Sequence, residues 1–224
     1  MAPRRALVFG AAALLALATR APAPAFAGRD DVSPLADLLQ IVVRPRELLA
    51  IDGSHGGQRV ERLERGESIV WHATRGKVGV VLTDRRVLAV ATGSAAWQEE
   101  RWRSAERRPV DAALGDRIAL VVTSQRAIGF DGGSGNLVTS SLGPRERVVH
   151  DATAENVGVI VTDRRALGVS PFVGGFFEVK LQTGEAFEAL VAAANLATLT
   201  TSRRILIFRA ETGSWEERQL DLRE

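Results

Sequence analysis

The chain has no cysteine and no tyrosine, a single methionine, and only 5% aromatic residues. Without a thiol there is no disulfide framework, no thiolate nucleophile, no Cys-ligated zinc and no lipid-modified N-terminal cysteine. A chain of this length must then be held together by apolar burial. Histidine is nearly as scarce. His55, His72 and His150 fall at unrelated positions, in no metal-ligand spacing and in no triad arrangement with a serine. Also missing are a phosphate-cradling glycine loop, a dinucleotide fingerprint and a hydrolase nucleophile elbow. No metal and no cofactor is expected.

Neither sign of charge is in excess: 29 Lys and Arg face 27 Asp and Glu. The one long apolar run, ALVFGAAALLALA at 6–18, is too short to cross a bilayer. It follows the basic start MAPRR and precedes APAPAFA, which ends in a small-x-small site. This reads as a secretory signal peptide over 1–27, cut after Ala27, with a single domain over 28–224. Losing Arg4, Arg5 and Arg20 leaves 26 basic groups against 27 acidic ones, so nothing draws the mature chain to nucleic acid. The expectation is an exported monomer, periplasmic or extracellular, with no membrane span after processing.

What the sequence does have is a repeat. LTDRRVLAV at 82–90 returns as VTDRRALGV at 161–169, and weaker copies stand at 122–130 (VTSQRAIGF) and 200–208 (TTSRRILIF). The second Arg of each copy is Arg86, Arg126, Arg165 and Arg204, at spacings of 40, 39 and 39. A further step back of 39 reaches Glu47, in a degenerate first copy. Twenty residues after each of these points stands a glutamate without exception: Glu67, Glu106, Glu146, Glu185 and Glu224. A period of this size marks a repeat architecture.

Each unit reads as four short strands. An apolar run comes first (VGVVL, IALVV, VGVIV), then the segment after the motif Arg, a Gly-rich loop, an aromatic strand and a strand after the Glu. AFEALVAAAN alone has helical character, but the repeat register makes it a strand. Five such units resemble the β-propeller repeat proteins, and the resemblance covers the whole mature chain. The unit length and number are similar to the five-bladed lectins of the tachylectin type, although the motif differs and the WD dipeptide is missing. The fold class implied is all-β, a five-bladed β-propeller of ~39-residue four-stranded repeats. Counting back from Glu67 brings the mature N-terminus to where the C-terminus stops. Residues 29–33 are therefore expected to complete the last blade and close the ring.

Several residues are candidates for function. The motif Arg and the Glu of each repeat fall at turns, where a charge pair within or between blades is the natural reading. Pairs exposed there would contribute about 0–1 kcal/mol each. Ten residues before the motif Arg, or its Glu47 counterpart, stand Asp37, Asp116 and Glu155, three acids that could converge on a central funnel. Five-bladed glycoside hydrolases similar to arabinanases and invertases also gather three acids there, which implies a small glycan-processing hydrolase as the alternative function. DGGSGN at 131–136 carries one carboxylate, too few for calcium. Trp71, Trp97, Trp102 and Trp215 read as packing between blades, with a sugar-stacking platform as the other use of an indole. The reading that weighs most is an exported, non-enzymatic, lectin-like binding module for a protein partner or a carbohydrate, using the variable Gly-rich loops.

Overall fold

A computed structural model of the protein describes residues 37–109 and 112–220, all within one compact unit spanning 32–224. The described residues form strands and turns only. The first sheet has three strands, β1 (Leu39–Arg44), β2 (Glu47–Asp52) and β3 (Gln58–Arg62). The second is β4 (Ile69–Arg75), β5 (Val78–Thr83), β6 (Arg86–Ala91) and β7 (Gln98–Arg101). The third is β8 (Ala113–Leu114), β9 (Ile118–Val122), β10 (Arg126–Asp131) and β11 (Asn136–Ser141). The fourth is β12 (Val148–Thr153), β13 (Gly158–Thr162), β14 (Arg165–Val169) and β15 (Phe176–Lys180). The fifth is β16 (Phe187–Ala193), β17 (Leu196–Thr201), β18 (Arg204–Arg209) and β19 (Ser214–Gln219). Every sheet is an antiparallel meander in chain order.

The pairing corrects one expectation. The strand after each Glu does not join the sheet that precedes it. It pairs with the next apolar run, as β4 does with β5 and β16 with β17. The reason is the connection. Arg75 pairs with Val78 and Ala193 with Leu196, so two residues close each turn, and a two-residue loop forces its flanking strands into one hairpin. The six residues from 63 to 68, which carry Glu67, are the crossing to the next sheet. The last sheet consequently has four strands of its own and the first has three. Residues 29–33 and Glu224 lie outside the described residues.

The central strands of the second, third and fourth sheets are buried almost throughout, because a neighbouring sheet covers each face. Facing positions interlock by size. At three residues past the motif position stand Ala50, Ala89, Gly129 and Gly168, and a Cβ on Gly168 would lie 2.6 Å from the Phe208 ring. Seven residues before it stand Gly79, Ala119, Gly158 and Ala197, with a Cβ on Gly79 2.7 Å from Ile41. The end faces differ. β17 and β18 alternate buried and half-buried residues, and Leu196 is 36% exposed, whereas its counterparts Val78, Ile118 and Val157 are fully buried. On that face Ile207 takes the place of the small residue and Thr198 and Thr200 replace apolar ones, while Gln40 fills the small position on the outer face of the first sheet.

Candidate functional site

The repeated motif builds a clamp at every described joint between sheets. Arg126, at the start of β10, donates from Nε and Nη2 to both oxygens of Glu106 at 2.9 and 3.1 Å. Its Nη2 also donates 2.6 Å to the carbonyl of Arg101, at the end of the preceding sheet's last strand, and Nη1 to Glu100 on that strand. Arg86, Arg165 and Arg204 repeat this with Glu67, Glu146 and Glu185 and with the carbonyls of Arg62, Ser141 and Lys180. The threonine three residues before each Arg donates from Oγ1 to the same Glu and accepts the Arg backbone N–H; for Thr123 these distances are 2.5 and 3.1 Å. Asp84 and Asp163 accept the backbone N–H just after the Glu, and Ser124 and Ser202 do so in the other copies. The Thr, the Asp or Ser and the second Arg of the string thus each have a partner in the joint, which is why the string recurs.

In three of the four clamps these Arg–Glu pairs are buried, which corrects the expectation of exposed turn pairs; Arg165 and Glu146 are half-buried. Arg126 is 1% exposed, and Arg86 and Arg204 are buried with their glutamates. Burial by itself would raise each Glu carboxyl. Hydrogen bonds from the Arg, from a backbone N–H and from the Thr outweigh it, so Glu67, Glu106 and Glu146 are lowered and Glu185 is held at about 2. The first sheet has no such set. Glu47 replaces the Arg and Arg44 replaces the Thr, and the two pair with each other at 2.9 Å in the open.

At the other end of each joint the tight turns bond to one another. Leu38, Lys77, Arg117 and Asn156 donate backbone N–H groups to the carbonyls of Gly76, Asp116, Glu155 and Ala194, at 2.7–2.9 Å. The candidate acids are the first residues of these turns, so they do stand in succession along one edge of the sheets. Their carboxylates are differently placed. Asp37 is exposed and accepts the Gly76 N–H at 3.1 Å. Asp116 is fully buried and ion-paired to Arg75 at 3.1 Å. Glu155 is half-buried. Among the described residues no three His, Asp or Glu side chains are grouped to hold a metal ion.

The tryptophans are committed to the frame. Trp97 and Trp215 donate from Nε1 to the carbonyls of Arg59 and Phe177 on the neighbouring sheets, Trp102 donates to Thr83, and Trp71 packs on the core between the second and third sheets. Two of the Gly-rich loops are closed by their own carboxylates. Asp131 accepts from Gly133, Ser134 N–H and Ser134 Oγ, and Asp52 from Ser54 and His55. The loop 170–175 carries Phe172, which is exposed, and two glycines with open space around them. Sequence reasoning missed Phe172 because a lone aromatic in a loop carries no periodic signal.

No protein-family model matches the chain, and no curated protein does. Solved structures similar to it include Prp20p from Saccharomyces cerevisiae, described with its binding to Gsp1p and histones (11% identity, 76% of this chain and 56% of that one, TM-score 0.37). Apo AztD from Citrobacter koseri is similar at 14% identity over 82% and 60%, with TM-score 0.35. The WD40 domain of SCAP from fission yeast is similar at 11% over 82% and 56%, with TM-score 0.33. The chain spans 56–60% of the length of these three proteins.

Proposed function

We propose that the protein is a non-enzymatic binding module for a protein partner, carried on a five-bladed β-propeller and exported behind the 1–27 leader. The observation that carries the binding reading is how the repeated chemistry is used up. Every described motif Arg, Thr and Glu is bonded inside a joint, and the buried, ion-paired Asp116 is not placed to act on a substrate. What varies from sheet to sheet is the loops, and variable loops on a rigid frame are where recognition sits. A protein partner is favoured over a glycan because the indoles are engaged in the frame, while the exposed aromatic Phe172 sits on an open loop.

In this reading the five sheets are blades, and the joint that closes the ring is made without the clamp, with Gln40 and Ile207 where the other joints use small residues. The test is a binding measurement against purified envelope proteins beside a glycan array. Saturable binding to a protein, weakened about tenfold or more by Phe172→Ala, is the expected result. Turnover of a chromogenic glycoside that disappears in Asp116→Asn would overturn it in favour of a hydrolase.

A further inference from the structure

The four clamps are not equal, and the exception lies between the third and fourth sheets. There a cavity of about 470 Å³ opens beside the clamp, lined by Ser141, Leu142, Gly143, Arg164, Arg165 and Lys180, with Glu146 and Glu178. Two breaks in the repeat create it. The strand end whose carbonyl binds the motif Arg carries a long cation in the other joints, as Arg62, Arg101 and Lys180, but a serine here, Ser141. Three residues before the clamp Glu, a turn residue meets the cation preceding the motif Arg in two other joints: Glu64 binds Arg85 at 2.9 Å and Gln182 binds Arg203 at 3.3 Å. Here that residue is Gly143, and a Cβ on it would stand 3.6 Å from Nη1 of Arg164.

The consequences are electrostatic. Arg165 has a side chain 19% exposed, whereas its counterparts are 1–5% exposed. Its Nε and Nη2 are held by Glu146 and Ser141, and Nη1 by Glu178; one N–H of the fork is left without a partner, as in Arg126 and Arg204, but here the fork is partly exposed and lines the cavity. Arg164 and Lys180 have no acidic partner among the described residues. The two acids in the wall are both engaged by Arg165, so three cations surround one hollow with a Leu142 floor. The turn that carries Gly143 and Glu146 is strained as well. Arg145 has φ 66°, the sole non-glycine with positive φ among the described residues, at a turn position where two other repeats use Gly66 and Gly184.

We infer that this cavity is a binding site for an anion of small-molecule size bearing carboxylate or phosphate groups, held by Arg164, Lys180 and the free edge of Arg165. Its volume falls in the range of small-ligand sites, and a guanidinium fork suits both oxyanions. The same group can arrive free or on an acidic side chain of a bound protein. The site stands apart from the Phe172 loop and does not depend on the binding reading above.

The test is calorimetric titration of the full chain at low salt with citrate, with inorganic phosphate and with a Glu-rich peptide. Expected is saturable binding of at least one of them, weakening as salt rises. Ser141→Arg, which restores the residue type of two other joints and fills the hollow, should weaken it about tenfold or more. So should Arg164→Gln with Lys180→Gln, two exposed changes that leave the clamp intact, should the first variant fail to fold. Binding of citrate or phosphate assigns a free anion, and binding of the peptide alone assigns a partner-borne one. Absence of saturable binding by all three probes up to about 10 mM, or equal affinity in every folded variant, would overturn the site.

Discussion

Replacing Arg126 by methionine keeps most of the stem and removes the charge, so it isolates what the clamp contributes. The side chain makes two bonds to Glu106, one to Glu100 and one to the Arg101 carbonyl, at 1% exposure. Its loss leaves the buried Glu106 carboxylate with only the Thr123 hydroxyl and the Arg103 N–H. Removing one partner of a buried pair costs about 3–5 kcal/mol, most of it the penalty of an unpaired charge. For a domain of this size that is a fall in Tm of about 6–20 °C. The assay is urea unfolding followed by tryptophan fluorescence, since Trp97 and Trp102 sit on the joints. Arg209→Met is the control: its pair with Glu216 at 2.7 Å is exposed and screened by water, so its loss should leave the midpoint nearly unchanged. Adding Glu106→Gln to Arg126→Met should recover part of the loss, because the orphaned charge goes. If Arg126→Met costs under about 1 kcal/mol, or no more than Arg209→Met, the clamp is not what joins the sheets.

Three further outcomes follow from the same frame. Gly115→Ala would put a Cβ 1.7 Å from the Ala154 carbonyl, so the third and fourth sheets cannot keep their turn-to-turn approach; expression of soluble, cooperatively folding protein should be lost, and near-native stability would contradict the joint geometry. Ile118→Ala should cost about 2–5 kcal/mol and the equivalent Leu196→Ala well under half of that, because Leu196 keeps 36% exposure; equal denaturant midpoints would show the outer face of the last sheet to be packed as tightly as the inner joints. The clamp glutamates have folded pKa values below the ordinary 4.5, with Glu185 at about 2, so their contribution is complete above 4.5 and is lost as pH falls towards 2. A urea midpoint that stays level from about pH 5 down to pH 3 would show that these carboxyls are not held in their charged form.

The period, the strands and the identity of the clamp residues were legible because they are local or periodic. An apolar run of five residues, a Gly-rich turn and a glutamate at fixed distance keep their meaning wherever the chain is folded. Three things were decided only by tertiary structure. The strand after each Glu joined the following sheet, because both of its flanking connections read as turns and only the two-residue closure at Gly76–Lys77 distinguishes hairpin from crossing. Three of the four motif arginines became buried, because a charged residue after a turn looks solvated until the neighbouring sheet covers it, and that sheet is contributed by the preceding repeat. The cavity at Arg165 was hidden for the opposite reason. A serine ending a strand and a glycine in a turn are ordinary in sequence, and they become a gap only where three other joints fill the same space with longer side chains.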